Sequence, residues 1–202
     1  MVIAPSVALL TSVLFDKTFR ATNRGIAFAM RMAEQIEIRQ VTADDFDTLA
    51  DVMFAAVRCG HSEYRGHSEY TEAQRRAWVP QRRYGEKWVE RLASQAVFAA
   101  VDSSGTVGFV SLTAHGYIDF AYVLSHVRGT GVFSRLYESI ELLALKNGET
   151  RLWVHASLMA QPAFAAMGFK ITKQEVIEIG SQSLERAEME KQIDHRGGSG
   201  SD

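Results

Sequence analysis

The sequence predicts an α+β domain built on a mostly antiparallel sheet with helices packed against it. Three strand patterns follow one another with only short turns between them, at residues 97–101, 106–113 and 117–124. Strands joined by such turns run antiparallel. An amphipathic helical pattern begins near Thr130, and further short strands lie in the last third of the chain. Strands and helices in this order are typical of α+β domains.

The composition is that of one globular domain. The chain has 202 residues, of which 47% are hydrophobic and 23% charged, enough for a sizeable core. The formal net charge of −2 gives no general attraction to nucleic acid or to an anionic membrane. The single cysteine, Cys59, excludes an internal disulfide and favours a reducing compartment, so we expect a cytoplasmic protein. The histidines lack metal-ligand spacing, and no metal is expected.

Residues 1–34 are interpreted as an N-terminal extension outside the main domain. Their apolar run at 2–15 is too short to span a membrane, and basic residues follow it instead of preceding it, the reverse of the secretory order. Three interpretations stay open: upstream sequence with the working start at Met30 or Met32, a packing or dimerisation arm, or a targeting segment. The first two are favoured, so a homodimer is possible. Residues 35–193 form the predicted domain, and 194–202 a Gly/Ser-rich tail of disordered character.

The first half of the domain alternates strand, helices and strands. Residues 36–41 alternate as a strand, and Thr42 and Asp45 resemble a capping box that opens a helix over 43–58. Residues 59–70 are expected to be a loop, which contains His-Ser-Glu-Tyr twice. A second capping box at Thr71 and Gln74 opens a short helix that stops at Pro80, and another helix follows to about Ala93.

The second half begins with a long helix that starts near Thr130. Its apolar side chains recur at helical spacing until Asn147-Gly148 ends it. A strand is predicted at 151–156, and a short helix capped by Ser157 runs to Ala166. Two closing strands are predicted, from 169 to about 179 and at 184–190.

The junction between the strand at 117–124 and the long helix carries Arg128-Gly129-Thr130-Gly131. A strand, a glycine-containing basic turn and a helix N-terminus together favour phosphate binding, because the first helical amides have no internal partner and the helix dipole attracts anions. Taken alone, the tetrapeptide is more often a tight turn with a solvated arginine. It is neither a P-loop nor a dinucleotide-binding fingerprint.

The element order and several motifs resemble the GNAT superfamily of N-acetyltransferases over about residues 35–193. Arg128, Gly131 and Phe133 occupy the places of that family's phosphate-binding signature, although Phe133 replaces a small residue. His155-Ala-Ser157 and the run from Phe164 to Gly168-Phe169 resemble two downstream segments. The runs 70–80 and 184–191 resemble the acceptor-side helix and closing strand of a small, poorly characterised bacterial subgroup. The resemblance implies a GNAT-like fold with a central twisted, mostly antiparallel sheet flanked by helices.

The resemblance also implies acetyl-CoA as the acetyl donor. Its pyrophosphate is then expected on the amides of the turn and first helical residues: Arg128, Gly129, Thr130, Gly131, Val132 and Phe133. Its pantetheine arm is expected between the strands at 117–124 and 151–156, along the backbone of Tyr122, Val123 and Leu124, with Ser157 and Phe164 nearby. An amide at Val123 or Leu124 would polarise the thioester carbonyl.

Amine acetylation needs a base, because an alkylammonium with a pKa of about 10.4 must lose a proton before it attacks. Asp119 is the candidate, since by parity it would share the strand face of Tyr117, Ala121 and Val123, where some family members carry a catalytic His or Glu. Burying a carboxylate inside an apolar strand is unfavourable unless it is paired. The alternative is that Asp119 pairs with a nearby arginine and only positions the strand.

The departing thiolate needs a proton, which many relatives supply from a tyrosine four residues before Gly-Phe. Here Phe164 occupies that place and has no hydroxyl. Tyr122, Tyr137, Ser157 or water would then serve, and a thiol pKa of about 8.5 makes weak assistance sufficient.

Four residues of the loop and following helix are expected to contact the acceptor: His67, Glu69, Tyr70 and Trp78. Trp78 is more often a core residue, and His67 and Glu69 solvated ones. His155 is interpreted as a satisfied sheet histidine, although its alternation could also place it toward the cofactor cleft.

The predicted function is direct acetyl transfer from acetyl-CoA to a primary amine of a small molecule, because no nucleophile is apparent. A non-catalytic acyl-CoA-binding module with a regulatory or interaction role is the alternative, suggested by Phe133 and Phe164. A protein or peptide amine is a third possibility for the acceptor.

Overall fold

The computed structural model describes residues 36–58 and 69–194. Seven strands form one sheet: β1 Glu37–Gln40, β2 Ala96–Asp102, β3 Gly105–Leu112, β4 Tyr117–Val123, β5 Arg151–Ser157, β6 Lys170–Ile179 and β7 Gln182–Gln192. Five α-helices accompany them: α1 Phe46–Arg58, α2 Glu72–Trp78, α3 Glu86–Ala93, α4 Val132–Lys146 and α5 Gln161–Ala166. The predicted α+β class, with its sheet flanked by helices, is confirmed.

The strand order is β1-β2-β3-β4-β5-β7-β6. Every neighbouring pair is antiparallel except β4 and β5, which run parallel. The parallel pair follows from the long crossover through α4, since parallel strands need a connection of a dozen or more residues. The mostly antiparallel sheet predicted from the sequence is therefore confirmed, with one parallel junction at its centre.

Two apolar clusters cover the two faces of the sheet. One packs α4 and α5 against β3, β4 and β5, with Leu136, Ile140 and Phe164 at its centre. The other packs α1 and α3 against β2, β3 and β4, with Leu49, Trp88 and Phe109 buried. Adjacent residues of β3 contribute to opposite clusters, as the two-residue period of a strand requires.

Both predicted capping residues begin their helices. The Thr42 amide donates to Asp45 Oδ2 at 2.9 Å, and a 3-10 turn at Ala43–Asp45 leads into α1. At α2 the Gln74 amide donates to Thr71 Oγ1 at 3.2 Å, and the Thr71 amide donates back to Gln74 Oε1 at 2.8 Å. These reciprocal bonds satisfy amides that a helix start leaves unpaired.

The predicted cap at Ser157 is wrong. Ser157 is the last residue of β5, and the N-cap of α5 is Ala160, without a side-chain cap bond. The Ala160 amide donates to the Ser157 carbonyl at 2.8 Å and lies 3.3 Å from its Oγ. A tight turn therefore separates strand from helix, because the Ser157 backbone is still needed to pair with Arg186 of β7.

A β-bulge in β4 overturns the parity predicted for Asp119. Val110 pairs with Ala121 and Leu112 with Ile118, so Ser111 faces two residues, Asp119 and Phe120. The Phe120 amide donates to the buried Ser111 Oγ at 3.0 Å instead of to a carbonyl. One extra residue inverts the alternation. Ala121 and Val123 therefore face the α4 cluster together with Ile118.

Gly116 brings the start of β4 against β5. It has a φ of +71°, and a Cβ there would lie 2.0 Å from the Arg151 carbonyl oxygen. Only glycine allows this approach without displacing the neighbouring backbone. The two strands meet just beyond this point, at Tyr117 with Trp153 and Ile118 with Val154.

Candidate acetyl-CoA and acceptor site

The central feature of the site is a gap between β4 and β5. Both strands are seven residues long, yet they pair only at Tyr117–Trp153 and Ile118–Val154. From Asp119 and His155 onward they separate, and a cavity of about 640 Å³ is lined by both strands. Two neighbouring strands that diverge expose a strand edge on each side, which an extended ligand can occupy.

The backbone of β4 offers donors to this gap. The Leu124 amide donates to the Val107 carbonyl of β3 at 2.8 Å. Successive amides of an antiparallel strand point to opposite sides, so the amides of Val123 and Ala121 point away from β3, toward the gap. Two amides were predicted to polarise the thioester carbonyl. The Leu124 amide is already hydrogen-bonded within the sheet, so of these two only the Val123 amide faces the gap.

The turn predicted to bind phosphate is open on its outer side. Gly129 and Gly131 have φ angles of +76° and +87°, and a Cβ at either would meet nothing within 4 Å. The first α4 hydrogen bond runs from the Arg135 amide to the Gly131 carbonyl at 3.2 Å, and no side chain of the described residues caps the helix. Among the described residues, the three amides that precede Arg135, those of Val132, Phe133 and Ser134, therefore lack a partner, which is the arrangement found at anion-binding helix starts.

The side chains of this turn divide into two groups. Arg128 is exposed at the surface of the turn, it donates to the Ala56 carbonyl at 3.4 Å, and partial desolvation lowers its pKa. Among residues 36–58 and 69–194, no carboxylate pairs with it. Thr130 Oγ1 instead donates to the Val127 carbonyl at 2.7 Å, which shapes the turn. Val132 is buried in the core, so only its amide can reach a phosphate.

Phe133 and Phe164, the two departures from the family pattern, contact each other. Their ring centroids lie 5.1 Å apart in an edge-to-face arrangement, and Phe164 meets Phe169 in the same way at 5.1 Å. Such pairs add stability beyond simple burial. Both side chains line the cavity, so its wall is apolar where many relatives carry a tyrosine hydroxyl.

Tyr137 is not available as a proton donor to the cavity. It is buried, its hydroxyl donates to Glu141 at 2.7 Å, and it lies outside the cavity wall. Among the described residues, hydroxyl groups in the wall come from five side chains: Tyr70, Tyr117, Tyr122, Ser134 and Ser157. Tyr122 packs between Phe109 and Phe120, and burial raises its pKa, which keeps the phenol neutral.

Asp119 lines the cavity but is held by two partners. Arg91 of α3 donates to Oδ2 at 2.9 Å and to Oδ1 at 2.7 Å, and Gln95 donates to Oδ2 at 2.7 Å. The Asp119 side chain is only 8% exposed. The Asp119 hydrogen bond raises the pKa of Arg91, whose guanidinium also lies 4.7 Å from the Phe120 ring centroid. This is the arrangement of a positioning group, and the predicted base role stays untested.

The predicted acceptor residues lie on the other side of the gap. Tyr70 is buried, its hydroxyl donates to the Glu185 carbonyl, and it accepts from the Leu158 amide at 3.0 Å. Trp78 meets the Tyr70 ring edge at 5.9 Å, and both line the cavity. Glu69 is exposed, and its amide lies 3.5 Å from Met159 Sδ. His67 lies outside the described residues.

His155 lines the cavity at the place where β4 and β5 part. Its Nε2 lies 3.7 Å from Glu175 Oε2 and 3.9 Å from Glu188 Oε2, and its side chain is 21% exposed. Burial, and then the nearby Arg186, lower its pKa. The imidazole is therefore neutral near pH 7. Its strand alternation already allowed a place in the cleft, but the surrounding charges come from β6 and β7 and could not be foreseen.

Several arginines in the wall were missed by the sequence reasoning. Arg75 and Arg83 come from α2 and the loop after it, and Arg186 comes from β7. No motif marks them, because they belong to segments far apart in the chain.

Two further properties concern the described part of the chain alone. Residues 36–58 and 69–194 contain no helix long and apolar enough to cross a membrane. The same residues hold no group of three or more His, Cys, Asp or Glu side chains that could bind a metal ion.

The sheet has seven strands and one parallel pair, and the two strands of that pair diverge beside the N-terminus of α4. This arrangement defines an acetyltransferase-type fold. The model of the acetyltransferase (GNAT) domain family matches residues 67–192. The uncharacterised N-acetyltransferase YafP of Escherichia coli (strain K12) is 33% identical over 143 residues, which cover 71% of this chain and 87% of YafP. The chain therefore belongs to the GNAT acetyltransferase family, as its motifs predicted.

Solved structures agree on the fold. A GCN5-related N-acetyltransferase from Rhodopseudomonas palustris superposes with a TM-score of 0.68 at 26% identity, covering 78% of this chain and 95% of that one. The structure of yncA from Salmonella typhimurium with its cofactor acetyl-CoA has a TM-score of 0.54 at 16% identity and covers 80% and 96%. At that identity the second likeness concerns the fold alone.

Proposed function

We propose that this chain transfers the acetyl group of acetyl-CoA to the amine of a small molecule by direct attack. The gap between β4 and β5, which ends beside the open N-terminus of α4, is the observation that carries the proposal. An extended arm fits between the strands, and a diphosphate fits on the helix amides. The yncA structure, which holds acetyl-CoA in the same fold, agrees with this choice of donor.

The residues that would hold acetyl-CoA are those of the open turn and the β4 edge. Amides at Val132, Phe133 and Ser134, together with the Arg128 guanidinium, would bind the phosphates. The Val123 amide, which points to the gap, would donate to the thioester oxygen as charge develops on it. When bound, acetyl-CoA supplies an activated acetyl group on a thiol that leaves readily.

The reaction requires two proton movements. The amine nitrogen forms a C–N bond to the acetyl carbon, the C–S bond breaks, one amine proton goes to a base, and the thiolate takes up a proton. We assign the base to His155, whose neutral imidazole lines the cavity at the mouth of the gap. Asp119, already bound by Arg91 and Gln95, is proposed to orient this wall. Ser157, Tyr122 or water would return the proton to sulfur.

The test measures acetyl-CoA binding and free-thiol release separately, across a panel of small amines. Binding with amine-dependent release is expected. Binding without release for any amine would leave only the alternative of a non-catalytic acyl-CoA-binding module. Absence of binding would overturn the whole assignment of the gap.

A variant tests the phosphate turn itself. Arg128→Gln removes the guanidinium of the turn and is expected to raise the KM for acetyl-CoA about 10-fold, the loss of one charge-assisted hydrogen bond. Lys146→Gln, at the opposite end of α4, removes the same charge and should change nothing. Equal effects of the two substitutions would mean that Arg128 acts only through general charge.

A further inference from the structure

The acceptor side of the cavity is rich in guanidinium groups. Besides Arg128 of the phosphate turn, four arginines line the wall: Arg75, Arg83, Arg91 and Arg186. Two of them are neutralised. Arg91 pairs with Asp119 at 2.7 Å, and Arg186 pairs with Glu175 at 2.9 Å.

The other two have no such partner. Within residues 36–58 and 69–194, no carboxylate lies at ion-pair distance from Arg75 or Arg83. Arg75 donates from Nη1 to the Tyr70 carbonyl at 2.5 Å, while its Nε is buried and without an acceptor in this described part. A buried, unsatisfied charged donor is unfavourable unless a ligand or another group compensates it.

The position of Arg83 agrees with a role in the same pocket. Burial raises the pKa of the Tyr122 hydroxyl, and the positive charge of Arg83 opposes that rise. Arg83 lines the same cavity as Tyr122, whose ring lies on the sheet face of Phe109 and Phe120, opposite the face that α4 covers. That places it on the acceptor side of the sheet.

One acid of the wall is also without an ion-pair partner in the described residues. Glu185 at the start of β7 is exposed and lines the cavity. After the two internal pairs are set aside, two guanidiniums and one carboxylate face the acceptor. The two guanidinium groups and the one carboxylate leave a net positive charge, which would repel a polyamine. A molecule that carries both an ammonium and an acid group complements these charges.

We infer that the acceptor is an amine that also carries an anionic group, bound by Arg75 and Arg83. The inference rests on the proposed acetyl transfer. Arginine is suited to the task, because its planar fork binds a carboxylate or a phosphate with two parallel hydrogen bonds. Glu185 then attracts the ammonium end, and the acid group selects acceptors in the presence of simple alkylamines.

Matched acceptors test the inference. β-Alanine is compared with propylamine, O-phosphoethanolamine with ethylamine, and spermidine serves as the polycation, all by free-thiol release from acetyl-CoA. A kcat/KM at least 10-fold higher for the acid-bearing member of a pair is expected, with spermidine slowest. The pair that shows the larger ratio tells whether carboxylate or phosphate is preferred.

Outcomes separate this inference from the proposed function. Equal rates within both pairs, or a preference for spermidine, would overturn the inference and leave acetyl transfer standing. Bound acetyl-CoA without release for any amine would overturn both.

Two variants and a matched control locate the effect. Arg75→Gln and Arg83→Gln should each lower kcat/KM for acid-bearing amines about 10- to 100-fold, the loss of a charge-assisted bond. Rates with the plain amines and the KM for acetyl-CoA should stay constant. Arg76→Gln, whose exposed guanidinium pairs with Glu72 on the same helix and does not line the cavity, should change nothing.

If Arg75→Gln fails to fold, the Arg83 variant still tests the inference, because the exposed Arg83 side chain can be replaced without loss of packing. Arg83→Glu should go further and improve spermidine relative to β-alanine. A rise in the KM for acetyl-CoA in place of these effects would show that the arginines bind the donor's phosphates, and the inference would be wrong.

Discussion

Two side chains in the cavity wall, His155 and Asp119, have opposite surroundings. The His155 imidazole has two carboxylates just beyond hydrogen-bonding distance and a lowered pKa. The Asp119 carboxylate already accepts three hydrogen bonds. A base needs a free lone pair aimed at the substrate, so His155 fits that role better. The sequence alone had favoured Asp119, because its bulge and its partner Arg91 were not visible.

His155→Gln tests the base. A neutral imidazole accepts a proton only above its own pKa, which burial holds below the ordinary value of 6.5. Activity should therefore fall as the pH drops through that lowered pKa. The glutamine variant should lose about 10²- to 10⁴-fold in kcat. Its pH profile should also lack the acidic limb, which is this fall in activity at low pH. The pH profile of kcat/KM is the measurement, and a limb that persists in the variant would exclude His155 as the base.

Asp119→Asn is the companion test. A positioning role predicts a kcat/KM lowered about 10-fold, with an unchanged acidic limb, because the amide nitrogen of asparagine cannot accept a hydrogen bond that Arg91 or Gln95 now donates, while the proton acceptor of the reaction stays the same. Gln95, which donates to the same carboxylate, offers a control: Gln95→Ala should have a smaller effect of the same kind. Loss of the limb in Asp119→Asn alone would restore the base role predicted from the sequence.

Among the elements, the β4–β5 junction decides whether the gap exists. The strands are held together at their beginning by close packing at Gly116 and by two residue pairs. Beyond them, the bulge at Asp119 and Phe120 turns β4 and changes which side chains face α4. Bulges bend a strand and increase its twist, which explains why the strands part at this point.

Gly116→Ala should destabilise the protein by about 3 kcal/mol, the sum of a left-handed backbone strain and overpacking against Arg151. Gly180→Ala is the matched control, since Gly180 also has a positive φ, +62°, but open space around its Cβ. That variant should lose only about 1 kcal/mol. Urea unfolding measures both. Equal losses would mean that contact with Arg151 is relieved by a small shift of the strands.

At the scale of the whole molecule, the described residues of both apolar clusters lie between Ile36 and Ile193. A chain beginning at residue 35 should therefore keep the free energy of unfolding of the full protein to within about 1 kcal/mol, since every described residue of the two clusters is kept. Thermal unfolding and acetyl-CoA binding of the two chains measure this. Failure of the shorter chain to fold would show that residues 1–34 belong to the domain. Sedimentation of both chains tests the possible homodimer.

Much of the fold was predictable because it is locally encoded. Capping boxes at Thr42 and Thr71, a glycine stop after the long helix and strand alternation placed most elements within a few residues. The turn before α4 was predictable for the same reason, since a strand, two glycines and a helix start lie within one short segment, and its binding of phosphate stays a prediction. Ser157 shows the limit: its sequence suits a cap, yet pairing with β7 keeps it in the strand.

The sequence by itself determined the family, the order of elements and the glycine-containing turn before α4, because these depend on residues near one another in the chain. Only the tertiary structure decided the width of the gap, the face of Asp119 and the meeting of His155, Arg75 and Arg83 in one wall. The physical reason is that strand register and side-chain contacts between distant segments set these features. A single bulged residue is enough to invert them.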